Sequence, residues 1–291
     1  MKGNTVKLSF RRRLIYVGVA IGALTLGGAG IGTAQASTSH VAHSHHPRPA
    51  SAKPTVVLVH GAWADGSSWS GEVSRLQHDG YPVVVAPNPL RGLSSDADYL
   101  REFLGGITGP VVLVGHSYGG AVITNAATGN ANVKALVYVD AYIPDANQSV
   151  AELTSPDSVL APAGTNPTSV FKLLPYPGAP AGIYDTYLLP KVFEAALGAG
   201  LSKSQIAVLA ASQSPTSLVA LGEHSGAPAW ASIPSWALVG TQDKLIPPAA
   251  QLAMAGHAKA HVVKVNAGHL SLITAPDAVT KLIDTAARTT A

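Results

Sequence analysis

From Thr55 onward, short runs of β-branched and other apolar residues alternate with longer stretches of helical character. That alternation predicts a mostly parallel sheet covered by helices. The expected strands are residues 55–59, 82–86, 111–114, 135–140, 235–239 and 261–265. Each is a nearly continuous apolar run, the pattern of strands buried on both faces. Between the fourth and fifth the rhythm breaks. Residues 144–233 show no convincing strand, but helical patches at 184–198, 202–211 and 215–221 separated by Pro-, Gly- and Ala-rich stretches. That is too long for a loop and reads as an inserted helical cap, which on such a sheet roofs the site at the carboxyl ends of the strands.

The residues ahead of this domain follow another pattern. Lys2, Lys7, Arg11, Arg12 and Arg13 precede an apolar run from Leu14 to about Gly32, and Ala34-Gln35-Ala36 then supplies a small-x-small cleavage pattern. Residues 1–36 are therefore expected to be a signal peptide cleaved near Ala36, with a secreted product. The consecutive arginines also fit twin-arginine export. A Gly-rich run followed by a cleavage site argues against a retained membrane span. Residues 37–53, rich in Ser, Ala, Pro and His, read as a flexible tether. Its His40, His43, His45 and His46 read as a solvated linker, since no carboxylate or fixed geometry accompanies them to hold a metal.

Composition narrows the function. With 47% hydrophobic and 12% charged residues, the chain has material for a large core and is no candidate for wholesale disorder. Removing the five leader cations turns the formal charge of +3 into −2, so no general basic surface remains for nucleic acid. The absence of cysteine excludes disulfides, thiol catalysis and cysteine-ligated metals.

The candidate chemistry centres on Gly115-His116-Ser117-Tyr118-Gly119, which follows a buried strand and precedes an Ala-rich helix expected from about Tyr118 to Ala127. A nucleophile on such a turn has strained backbone, and the flanking glycines remove side chains that would clash. The Tyr118 amide, opening the helix, points at the same spot and can stabilise negative charge. Serine is a poor nucleophile at neutral pH and needs a base and an acid that orients it. Asp243 lies in the loop after residues 235–239, and His269 just after 261–265. Asp140 competes for the acid role because it too ends a strand, although it is expected to fix a turn at the pocket rim. His116 adjoins the serine but should point away from it; His60, His78, His224, His257 and His261 lack the loop context of His269. A second oxyanion donor is expected at Ala62, after the turn that Gly61 permits. Trp63, Tyr142, Tyr184, Tyr187 and Leu270 are candidate pocket residues, with Phe171, Tyr176, Phe193 and Trp230 as further aromatics of the cap. No metal or organic cofactor is implied.

Four segments carry a family resemblance: Val-His-Gly-Ala-Trp at 59–63, Gly-His-Ser-Tyr-Gly-Gly at 115–120, Gly-Thr-Gln-Asp-Lys-Leu-Ile-Pro at 240–247 and Ala-Gly-His-Leu-Ser at 267–271. Together they resemble the α/β-hydrolase superfamily, and within it small bacterial esterases and the plant methylesterase and hydroxynitrile lyase branch, over roughly residues 55–283. The resemblance implies an α/β-hydrolase fold, a Ser117–Asp243–His269 triad, Ala62 and Tyr118 as oxyanion-hole amides, and a carboxylesterase that cleaves small-molecule esters through an acyl-enzyme. The same triad also serves carbon–carbon bond hydrolysis and acyl transfer, and the fold has non-catalytic ligand-binding members. The lyases of this branch carry threonine at the position of Gly61 and lysine at that of Leu270. Their absence leaves no cation for a departing cyanide, so hydrolysis is expected.

Overall fold

The computed structural model describes residues 53–290. The expected signal peptide, and the tether apart from Lys53, lie outside the described residues. The chain runs through β1 (Thr55–Val59), α1 (Ser70–His78), β2 (Val83–Ala86), α2 (Leu93–Gly105), β3 (Val111–His116), α3 (Tyr118–Ala126) and β4 (Val133–Val139). The insertion follows, with α4 (Val150–Leu153), β5 (Phe171–Leu174), β6 (Asp185–Leu188), α5 (Pro190–Leu197), α6 (Lys203–Ala211), β7 (Thr216–Ser217) and α7 (Leu218–Gly222). The core resumes with β8 (Ser235–Gly240), α8 (Pro248–His257), β9 (His261–Val265), α9 (Ser271–Thr274) and α10 (Pro276–Thr289). No helix among the described residues is long and apolar enough to cross a membrane.

Six strands form one sheet in the order β2-β1-β3-β4-β8-β9, and every pairing in it is parallel. The chain moves outward from β1 to β2 and then returns across β1 to β3. Right-handed crossovers therefore place the following helices on opposite faces, and a crevice opens above the carboxyl ends of β1 and β3. Ala62 follows the first of these strands and Ser117 the second, so topology alone brings the two segments together.

The four central strands have the burial that their apolar runs predict: β3 and β8 are buried throughout, and β1 and β4 over all but one residue each. The two edges differ. In β2 one residue of four is buried, and β9 has none, with Val262 and Val263 at 39% and 43% exposure. A strand's own apolar content does not state its rank in the sheet, and at an edge the neighbour that would cover it is missing.

The insertion corrects the expectation of a helical cap. Alongside its helices it contains a three-stranded antiparallel sheet, β5-β6-β7. The helix expected over 184–198 divides at Leu189. Thr186, Tyr187 and Leu188 pair as strand residues, and Pro190 opens α5 at a position where its missing N–H is harmless. The patch at 215–221 likewise splits into β7 and α7, whereas α6 keeps the expected span and starts on a capping box between Ser202 and Gln205. Strands of two and four residues are too short to register a period in sequence; pairing makes them visible.

Candidate active site

The turn at Ser117 is held by close backbone packing. Ser117 has φ 54° and ψ −124°, a left-handed conformation costly for a residue with a Cβ. A Cβ at Gly115 would stand 2.5 Å from the Gly119 carbonyl oxygen, and one at Gly119 would stand 2.6 Å from that of Val59. Both positions therefore require glycine for the strand, the turn and α3 to approach one another. The Ser117 amide donates to Val139 O at 3.2 Å, tying the turn to β4.

Two further segments form a relay to its hydroxyl. His269 Nε2 lies 2.8 Å from Ser117 Oγ, and His269 Nδ1 lies 2.8 Å from Asp243 Oδ2. A carboxylate oxygen accepts, so Nδ1 carries the proton and Nε2 is free to accept from the serine. Asp243 also accepts from the amides of Leu245 and Ile246 and from Gln251 Nε2, at 2.8, 2.9 and 2.7 Å. Burial pulls the His269 pKa down, but the Asp243 charge and hydrogen bond, with the Asp140 charge, outweigh it, and the net direction is upward. Gln251 was not among the sequence candidates. It reaches Asp243 from α8, and a glutamine on an apolar helix carries no local mark of that contact.

Asp140 takes a place different from the pocket rim expected of it. It is fully buried with φ 44°; its Oδ1 accepts from Gly240 N at 2.7 Å and its Oδ2 from Ser271 N at 3.2 Å. It thus joins the strand end preceding Asp243 to the turn just after His269. Burial and the neighbouring Asp243 charge push its pKa up to about 7. His116 donates from Nε2 to the His269 carbonyl at 2.9 Å, and burial holds its pKa well below the ordinary value, leaving it neutral. His60 donates from Nδ1 to Gly61 O at 3.0 Å, while His224 and His257 pair with Glu152 and Asp145 away from the site.

A Cβ on Gly61 would come within 2.7 Å of Ser117 Cβ, so the turn after β1 lies directly against the serine. Among the described residues, neither the Ala62 nor the Tyr118 amide has a hydrogen-bond acceptor. Ala62 and Tyr118 line the same cavity as Ser117. The Tyr118 hydroxyl is engaged elsewhere, donating to Asp96 Oδ2 at 2.8 Å.

Ser117 opens into a cavity of about 510 Å³. Ala62, Trp63, Tyr142, Leu160, Phe171 and Leu218 are among the residues that line it, and none of its lining side chains is charged. A second hollow of about 30 Å³ lies beside His269, bordered by Leu270 and Phe193. Of the pocket candidates, Trp63 and Tyr142 therefore line the large cavity and Leu270 the small one. Tyr184 and Tyr187 line neither. Tyr184 sits in the connection before β6 at 37% exposure. Tyr187 alternates with Thr186, whose hydroxyl reaches Trp63, so its side chain leaves the opposite face of the cap sheet. The aliphatic lining from α4 and α7, such as Val150 and Leu221, carries no mark in the sequence, because isolated aliphatic residues look like ordinary core.

Residues 56–282 match the alpha/beta hydrolase family. A carbendazim hydrolyzing esterase of Nocardioides sp. is 36% identical over 110 residues, which are 33% of this chain and 46% of that protein. The aligned stretch thus spans less than half of that relative's length. An alpha/beta hydrolase of Aspergillus novofumigatus is 27% identical over 256 residues, 81% of this chain and 97% of its own. Among solved structures, a methylesterase from Arabidopsis superimposes with a TM-score of 0.65 at 14% identity, covering 81% of this chain and 99% of that one, a likeness of fold.

Proposed function

Because the chain belongs to the alpha/beta hydrolase family, we propose that it is a serine hydrolase that cleaves carboxylic esters through an acyl-enzyme on Ser117. The observation that carries this reading is the continuous hydrogen-bonded chain from Asp243 Oδ2 through His269 to Ser117 Oγ, each step 2.8 Å. In the proposed reaction, Ser117 Oγ attacks the ester carbonyl as His269 Nε2 takes its proton. Asp243 holds the imidazole in the tautomer that can do so and balances the imidazolium charge. The Ala62 and Tyr118 amides receive the developing oxyanion, a contribution of about 3 kcal/mol for each donor. His269 then returns the proton to the departing alcohol, and a water activated by the same imidazole releases the acid.

The uncharged lining of the cavity supports a neutral substrate with a sizeable apolar group, because an ionised group would lose its hydration there without a partner. Gly61 supports hydrolysis over the lyase chemistry of the resembling branch: a side chain at this position would collide with Ser117. Leu270, a buried aliphatic residue following His269, offers no cation to a departing anion. The esterase name of the Nocardioides relative agrees with this reading. The leader composition supports export, with cleavage after Ala36.

The test is Ser117→Ala. Hydrolysis of a p-nitrophenyl ester should fall by roughly 10⁴-fold or more, and labelling by a fluorophosphonate should disappear, with the thermal melt unchanged. A variant as active as the parent would refute the assignment.

A further inference from the structure

All three strands of the cap sheet close on one residue, Trp63. From β7, Thr216 Oγ1 accepts the Trp63 main-chain N–H at 3.1 Å. From β6, Thr186 Oγ1 accepts the indole N–H at 3.0 Å and donates its own hydrogen to the Thr216 carbonyl at 2.7 Å. From β5, Phe171 stacks on the indole with ring centroids 5.5 Å apart. Thr186 and Thr216 are completely buried. Trp63 itself has φ 56°, a left-handed conformation that is unfavourable for a bulky residue and persists where its surroundings over-determine it.

The residue before Trp63 is Ala62, and its two flanking peptides are separately anchored. A trans peptide is planar, with N–H and C=O opposed. The hydrogen bond from His60 Nδ1 to Gly61 O therefore also sets the direction of the Ala62 N–H. On the other side, the bond from Trp63 N to Thr216 sets the following peptide plane. The first anchor lies in the turn directly after β1, whereas the second comes from the cap, 153 residues along the chain.

We propose that Thr216 is a positioning residue for the oxyanion hole. By holding the Trp63 N–H, it locks the left-handed turn that presents the Ala62 amide to Ser117. The cap sheet then serves transition-state stabilisation as well as roofing the cavity. This inference rests on the serine hydrolase reading, with Ala62 as an oxyanion donor.

The experiment compares the full chain with Thr216→Val, Thr216→Ser and Thr216→Cys. Each is assayed for kcat and KM on p-nitrophenyl butyrate, for inhibition by a boronic acid that forms a tetrahedral adduct on Ser117, and for thermal stability. Thr216→Val keeps the shape but removes the acceptor. It should lower kcat roughly tenfold with KM within about twofold, and weaken the boronic acid by a similar factor. Thr216→Ser, which retains the hydroxyl, should restore both. Thr216→Cys, a weaker acceptor of similar size, gives the same readout should the valine variant not fold. An effect confined to the melting temperature or to KM, or no effect in a folded valine or cysteine variant, overturns the positioning role. If the parent is active and Ser117→Ala is dead in that case, the hydrolase reading stands. Turnover that does not depend on Ser117 overturns both.

Discussion

Asp243 accepts hydrogen bonds on both of its oxygens: two backbone amides on Oδ1, Gln251 and His269 on Oδ2. Its charge is spent on His269, whose pKa lies above the ordinary imidazole value despite burial. General-base action needs the neutral ring, so kcat/KM should rise with pH through that elevated value, and the acid limb should lie above 6.5. Asp140 contributes to the elevation through its own charge, whereas the neighbouring His116 is neutral. In Asp140→Asn the limb should therefore move to lower pH. An amide oxygen cannot replace both carboxylate acceptors, so kcat should also fall, roughly tenfold, as the Gly240 and Ser271 amides lose one partner between them. A pH–rate profile of both proteins between about pH 5 and pH 9 reads the two effects together; an unmoved limb would remove Asp140's charge from the account.

At the scale of elements, α1 contains a carboxylic acid where a helix of this kind usually packs an apolar side chain. Glu72 is completely buried, and among the described residues neither of its oxygens has a hydrogen-bond partner. Burial pushes its pKa from 4.5 up to about 8, with Arg75 offsetting part of the rise. Between those two values the folded chain keeps the proton that the unfolded chain releases, so stability falls as pH rises across the window. Glu72→Gln removes the ionisation. The variant should melt higher than the parent at pH 8, with the advantage shrinking toward pH 5; parallel melting curves would contradict the buried acid. The Ser202 capping box marks a helix start where the patch at 202–211 predicts one, because a hydroxyl acts on its own turn, whereas the start at Pro190 falls inside the helix expected over 184–198. β5, β6 and β7 are not readable that way, since four residues of Phe-Lys-Leu-Leu character have no identity until Asp185–Leu188 pairs with them.

For the whole molecule, the site residues from Ala62 to His269 fall within the family-matched residues 56–282, and the proposed leader and tether precede that stretch in the chain. Deleting residues 37–52 from the exported chain should leave kcat and KM within about twofold of the parent. The intact mass of the secreted protein should correspond to a chain beginning at Ser37. A protein retained in the cell with residues 1–36 uncleaved would overturn the proposed export. The parallel sheet itself was legible because its central strands are apolar without interruption, a pattern that few arrangements other than two-sided burial can satisfy.

Sequence by itself determined which residues end the strands of the crevice: Ala62 after β1, Ser117 after β3, Asp243 after β8 and His269 after β9. Each is marked by its neighbours, an apolar run ahead and a glycine nearby, and strand order then does the rest. Tertiary structure alone decided what supports them. Gln251 on Asp243, Asp140 between Gly240 and Ser271, and Thr186 and Thr216 on Trp63 are contacts between distant segments. A hydrogen bond across 153 residues leaves no local pattern, because neither partner needs its own neighbours to make it.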